Sequence, residues 1–255
     1  MKQKLKVFSY FLVKDLKVKY SGSLLGFVWA FLLPLFNIFI LWLVFSAILK
    51  SRPYANTETP YIYFMLSSFF FWLAFSDGLM RSANVIIENA EIVKRISFPI
   101  IILPATATVS SYIQYMIGFI IFMVLYTASN SFSFIYLLVI PIIALQLLFS
   151  LGIGFILSSL TPYIRDIGQL LAPIMQGAFF LCPIIYSLDA IPQNYRLLFY
   201  INPMTYFASS YHKIILSKEL PEINIAAVVV ILPIVVFLAG YLLFKTLKDG
   251  FADVL

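Results

Sequence analysis

Cysteine and histidine are almost missing from this chain. Cys182 is the only thiol and His212 the only imidazole among 255 residues. A lone cysteine forms no intrachain disulfide, and its place in an apolar run marks it as a small core residue. Charge is scarce too: 11% of residues are charged, and the eleven acids are scattered through loops and ends. Acid–base or metal-assisted chemistry in a membrane enzyme rests on convergent carboxylates or His/Asp clusters, and this pattern offers neither. The sequence also lacks a G-x-x-x-x-G-K-[ST] run, in which backbone amides and a lysine hold nucleotide phosphates. The expectation is a non-catalytic chain, with no metal site, whose work is driven from outside.

What remains is apolar. Hydrophobic residues make up 62% of the chain, aromatics 18%, and the mean hydropathy is +1.00, more than one water-soluble core can hide. A spanning helix needs ~20 mostly apolar residues to cross ~30 Å of hydrocarbon. Six runs meet this, near 24–49, 61–80, 98–126, 132–160, 167–186 and 223–244, giving an all-α polytopic membrane fold in one transmembrane domain, 1–255. The first run is too long and aromatic for a cleavable signal, with Pro34 and Asn37 inside it, and is expected to stay. The short turn TASNSF makes the third and fourth spans an antiparallel hairpin.

With both termini in the cytoplasm, twelve of the seventeen lysines and arginines fall inside, which favours an N-in, C-in orientation. Six lysines lie in the first nineteen residues, where anionic headgroups account for the net charge of +6 better than nucleic acid does. Residues 1–20 form a moderately amphipathic interfacial helix. Leu5, Phe8, Leu12 and Leu16 fall on one side, and Lys6, Tyr10, Lys14 and Lys17 on another.

A charged island, EIVKRISFP, interrupts the oil. Over 84–97, apolar Val85, Ile92 and Ile96 recur at helical spacing, Glu91 can pair with Arg95, and Pro99 marks the stop. The residues alone suit a docking helix or an ordinary solvated connector. Asp77, the one clear acid inside a span, is expected to pair with Arg81 one turn on.

Read in order, KYSGSLLGFVWAFLLPL, ENAEIVKRISFPIIILP, RDIGQLLAPIMQ, FLCPIIYSLDAIP, YINPMTYF and the ending FADVL resemble the polysaccharide-exporter family of ABC transporter permeases. The nearest branch is the O-antigen exporters, with teichoic acid and capsule exporters as close relatives. The resemblance implies a homodimer in the bacterial inner membrane, with two copies of a separate ATPase subunit binding ATP and Mg. It also implies a lipid-linked polysaccharide substrate, most simply O-antigen on undecaprenyl pyrophosphate. An ion-coupled flippase and a membrane enzyme of lipid-linked sugar metabolism are the rival readings.

The same resemblance makes Glu88, Glu91, Lys94 and Arg95 a coupling helix on the ATPase. Arg165 and Asp166 become a second contact, and the first helix, with Lys6 and Lys14, a third. Asp166 has a capping role open to it as well, because a helix start favours an acid. Lys19, Gly22, Gly26 and Arg81 stand where a channel entrance would be, the glycines also permitting a bend or a close helix approach. A sugar polymer calls for aromatic stacking without tight binding. The resemblance suggests Trp29 and Asn37 from the first span, Tyr61, Tyr63 and Phe64 from the second, and Phe179, Phe180 and Tyr186 from the fifth. Between spans five and six, 188–220 holds breaks at Pro192 and Pro203 and too many apolar residues for a free loop. It is expected to re-enter the outer leaflet as gate helices, with Asn202 as an N-cap and Asp189 and His212 as surface groups.

Overall fold

The computed structural model describes residues 2–18, 25–50, 60–95 and 99–255. Lys19, Gly22 and Ile96, and the side chain of Arg95, lie outside the described residues. All described regular structure is helical: α1 (Lys2–Val18), α2 (Trp29–Trp42, prolonged by a π turn Leu43–Ile48), α3 (Tyr61–Glu88), α4 (Ala90–Arg95), α5 (Ile102–Ser129), α6 (Val139–Leu160), α7 (Asp166–Phe180), α8 (Gln193–Ile201), α9 (Met204–His212), α10 (Ile223–Leu247) and α11 (Phe251–Val254).

Among the described residues, four segments are long and apolar enough to cross a membrane: α3, α5, α6 with the 3-10 turn before it, and α10 with the short turn and helix after it. The molecule is a multi-pass membrane protein. The segments expected as spans one and five carry shorter helices, α2 with its π turn and the 15-residue α7. Both helices run through an internal proline, Pro34 and Pro173, each without an N–H to donate, as the 25-residue α10 runs through Pro233.

The 28-residue α3 is the centre of the molecule. It runs eight residues past the expected span limit at Met80, because Ser82, Ala83 and Ile86 are buried and keep its last turns against neighbours. Along it, Phe71 stacks on Tyr211 of α9 at 4.1 Å and Phe75 on Phe149 of α6 at 5.9 Å. A buried polar chain crosses the same core. Gln146 of α6 donates to the Phe71 carbonyl at 3.0 Å, Tyr211 donates to Gln146 at 2.6 Å, and Tyr112 of α5 donates to Ser150 at 2.7 Å. In a membrane interior such groups find partners inside the protein, because hydrocarbon offers none.

Helices α6 and α10 touch backbone to backbone. A Cβ on Gly240 would stand 2.1 Å from the Gly152 carbonyl oxygen, and one on Gly152 would stand 2.6 Å from the Phe237 amide. Only glycine permits this approach. A second apolar cluster closes the Glu88 end of the bundle and contains Ile86, Val93, Leu103, Phe155, Phe244 and Phe251. Val93 pins α4 there and Phe251 pins α11.

Candidate functional site

The charged side chains of interest gather at the Glu88 end. Asn89 breaks α3 from α4 with φ −111° and ψ 27°, and its amide donates back to the Val85 carbonyl at 2.8 Å. The break turns Val93 inward and leaves Glu88, Glu91 and Lys94 exposed. The α6–α7 turn reaches the same end: Tyr163 donates to the Leu247 carbonyl at 3.0 Å, and a Cβ on Gly168 would meet Asn84 at 2.4 Å. Arg165 and Asp166 stand exposed there, Asp166 opening α7. Helix α1 joins them through Asp15, which pairs with Arg81, and its exposed Lys14 borders the same hollow as Glu88, while Lys6 is exposed further along the helix. Three separate stretches of chain thus present one mixed-charge face. Along α1, Phe8, Leu12 and Leu16 are partly covered while Lys6, Tyr10 and Lys14 are exposed, and Phe11 rests on the second cluster.

Arg81 corrects the expected pairing. It reaches across to Asp15 instead of back to Asp77, and donates to Ser110 at 2.8 Å. Asp77 accepts the Ser111 hydroxyl at 2.6 Å. Arg81 therefore braces three helices in this structure, and the residues that join it, Asp15, Ser110 and Ser111, carry no helical-spacing signal that sequence reading could have used.

The aromatic candidates divide sharply. Phe64 is fully enclosed, stacked on His212 at 4.0 Å, and Tyr61 is buried with its hydroxyl on the Ile185 carbonyl at 2.9 Å. Neither lines a surface in this state. Tyr63 is half-buried against Tyr126 and borders an apolar cavity of about 630 Å³ between α2, α3 and α5. Phe179 packs on Phe69 and Trp72, and Tyr186 bonds the Phe180 carbonyl and packs edge-on against Phe199. Trp29, Asn37 and Phe180 remain exposed, the Asn37 amide turned to the Leu33 carbonyl at 3.0 Å. Gly26 adopts φ +49° with open space where a Cβ would go, so its glycine serves the backbone bend.

A face of α7 escaped sequence reading. Gln169, Ala172, Pro173, Gln176, Gly177 and Phe180 recur at three- and four-residue steps, and all are exposed. Leu171 on the other side is buried. Neither glutamine bonds any described residue. A primary amide facing lipid tails loses its hydrogen bonds, so this face belongs against water or a polar surface. The signal was present as Gln-x6-Gln, but it becomes legible only once Leu171 fixes which side is inward.

In the gate region, Asn202 accepts from the Met204 amide at 3.0 Å as α9 begins, and its own amide donates to the Ala178 and Leu181 carbonyls at 2.8 and 3.1 Å. It caps one helix and clamps the end of another. Phe199 and Phe207 are buried, whereas Leu197 and Leu198 are exposed. His212 corrects its expected surface position: it is buried and shares a 3.1 Å hydrogen bond with Ser68. Asp189 is exposed, and Cys182 is a fully buried core residue.

The sequence model described as ABC-2 type transporter matches residues 6–216, most of the chain. The chain belongs to the ABC-2 type transporter family. Its curated relatives include a protein named O-antigen export system permease protein RfbA from Myxococcus xanthus, 24% identical over 243 residues, covering 94% of this chain and 92% of that protein. Two proteins of the same name from Klebsiella pneumoniae are 26% and 27% identical over 247 residues, each covering 95% of this chain and 92% of the relative. In this ABC-2 chain, the matched region takes in α1, the mixed-charge face, α7 and α9.

Proposed function

We propose that this chain is the membrane subunit of an ATP-driven exporter that carries a lipid-linked polysaccharide across the bacterial inner membrane. O-antigen on an undecaprenyl pyrophosphate carrier is the most direct substrate, with teichoic acid and capsular polymers as its alternatives. The reading is supported by the ABC-2 family match and by the printed names of the relatives. The reading leans on the mixed-charge face, where Lys14, Glu88, Glu91, Lys94, Arg165 and Asp166 are exposed at the end of the bundle that carries the α3–α4 break, with Lys6 exposed on the same helix as Lys14. An ATPase subunit seats on that face, contributes the ATP and Mg, and drives α1 and α4 as levers.

Two copies of the chain form the pore, each crossing the membrane six times with both termini in the cytoplasm. The exposed face of α7 turns toward the passage, where Gln169 and Gln176 offer hydrogen bonds to sugar hydroxyls and Phe180, with Trp29 of α2, offers ring faces. Neutral amides and aromatics hold a glycan weakly enough to let it move. Lys19, Gly22 and Gly26 would mark the entrance for the pyrophosphate, with Lys19 as the cation that meets it, because Asp15 already takes the charge of Arg81.

The test is coexpression with candidate ABC ATPase subunits from the same genome. Copurification of the two, and ATP-dependent loss of lipid-linked glycan from the inner leaflet of reconstituted vesicles, are the expected results. Export by the chain alone, or export that collapses with the ion gradient and ignores ATP, refutes the reading. The glycan that accumulates when the gene is deleted identifies the substrate among O-antigen, teichoic acid and capsule.

A further inference from the structure

One carboxylate ties three helices together. Asp15 Oδ1 pairs with the Arg81 guanidinium of α3, and Asp15 Oδ2 accepts the Ser110 hydroxyl of α5. Arg81 Nη1 donates onward to Ser110 at 2.8 Å, Ser111 at 3.3 Å and the Ala107 carbonyl at 3.4 Å. The two side chains of the ion pair are 22% and 26% exposed, so solvent screens them only in part. Beside the pair lies a cavity of about 280 Å³, with Phe11 and Lys14 on one wall and Glu88 and Asn89 on another. That void lies between α1 and the corner where α3 passes into α4, so besides the Phe11 contact with the second cluster, a push on α1 reaches α3 through the charged contact. At its far end α3 meets α9 through the Ser68–His212 bond and the Phe71–Tyr211 stack.

We propose that Asp15, Arg81 and Ser110 form a latch that positions α1 and passes its displacement to α3 and α5. The two levers then act on one helix: α4 continues from the end of α3 through Asn89, and α1 grips it at Arg81, two turns earlier. This rests on the reading of α1 as a partner-facing helix, but the latch has a signature of its own. A detached α1 exchanges its amide hydrogens faster whether or not a partner is bound.

The experiment compares the full chain with Asp15→Asn, Ser110→Ala and the reciprocal pair Asp15→Arg with Arg81→Asp, each in lipid nanodiscs alone and as the complex with its ATPase. In Asp15→Asn, amide exchange across residues 6–16 accelerates at least ~10-fold. In the complex, glycan exported per ATP hydrolysed falls by on the order of 10-fold. Ser110→Ala gives intermediate values, and the reciprocal pair restores much of both. Unchanged exchange in Asp15→Asn overturns the latch. So does an unchanged export ratio in a complex that exports normally, as does a uniform loss of melting temperature that the reciprocal pair fails to reverse. Failure of the wild-type chain to recruit an ATPase instead sinks the functional reading, while the exchange comparison still decides the latch.

Discussion

Asp15 and Arg81 stand 66 positions apart in the chain and form an ion pair between α1 and α3. Arg81 is thereby held by an acid, two serine hydroxyls and a carbonyl. Replacing it with glutamine removes the charge and most of these bonds. The expected loss is about 1–2 kcal/mol of stability, below the figure for a fully buried pair because water still reaches it. Chemical denaturation in detergent measures this, and a change under ~0.3 kcal/mol contradicts the geometry.

The α6–α10 contact predicts intolerance to any side chain. Gly152→Leu drives a branched group into the Phe237 backbone and lowers stability by about 1–3 kcal/mol, or prevents folding outright. Gly177→Ala serves as the control, since nothing lies within 4 Å of its added methyl, and its melting temperature stays the same or rises slightly. Equal losses in the two variants count against the packing.

Gln146 anchors the buried polar chain, and Gln146→Leu leaves the Tyr211 hydroxyl and the Phe71 carbonyl without their partner. A cost of about 1–3 kcal/mol follows. Adding Tyr211→Phe recovers part of it, because an unpaired hydroxyl is removed from the core. A double-mutant cycle on melting temperatures reads the coupling, and strict additivity rejects it.

Exposed charges on the mixed-charge face should behave in the opposite way. Glu91→Lys together with Lys94→Glu alters nothing in the core, so stability stays within about 0.5 kcal/mol. Recovery of the ATPase in pull-downs falls by on the order of 10-fold, corresponding to about 1.4 kcal/mol of binding. Full recovery places the docking surface elsewhere.

Phe64 and Phe180 separate packing from passage. Phe64→Ala empties a fully enclosed site beside His212 and costs about 3–5 kcal/mol. Phe180→Ala costs under ~1 kcal/mol because the ring is already half-exposed, yet it slows export, as does Gln176→Leu. Melting curves and vesicle export rates, measured on the same preparations, check both halves.

The helical membrane character of the chain and a short helix at the charged island were open to reading from residues, because composition and local periodicity carry that information. Asn202 likewise proved a capping residue at a Pro-marked helix start. Partners set by tertiary packing were not legible. Helical spacing offered Asp77 to Arg81, whereas the fold supplies Asp15. His212 read as a surface group because nothing nearby in sequence predicts Ser68 and Phe64 closing over it. Val93 was passed over for Ile92, since the break at Asn89 rotates α4 relative to α3. Among the aromatics of α3, composition announces stacking surfaces without saying that Tyr61 and Phe64 spend theirs inside one subunit.

The Asn202 clamp has a mechanical corollary. Its amide grips the last carbonyls of α7 while its oxygen starts α9, and the Thr205 hydroxyl reaches the same Leu181 carbonyl at 3.5 Å, so the end of α7 and the start of α9 are fastened at one corner. Displacing either helix therefore carries the other with it, and a substitution that breaks this corner is felt on both sides of the Pro203 turn.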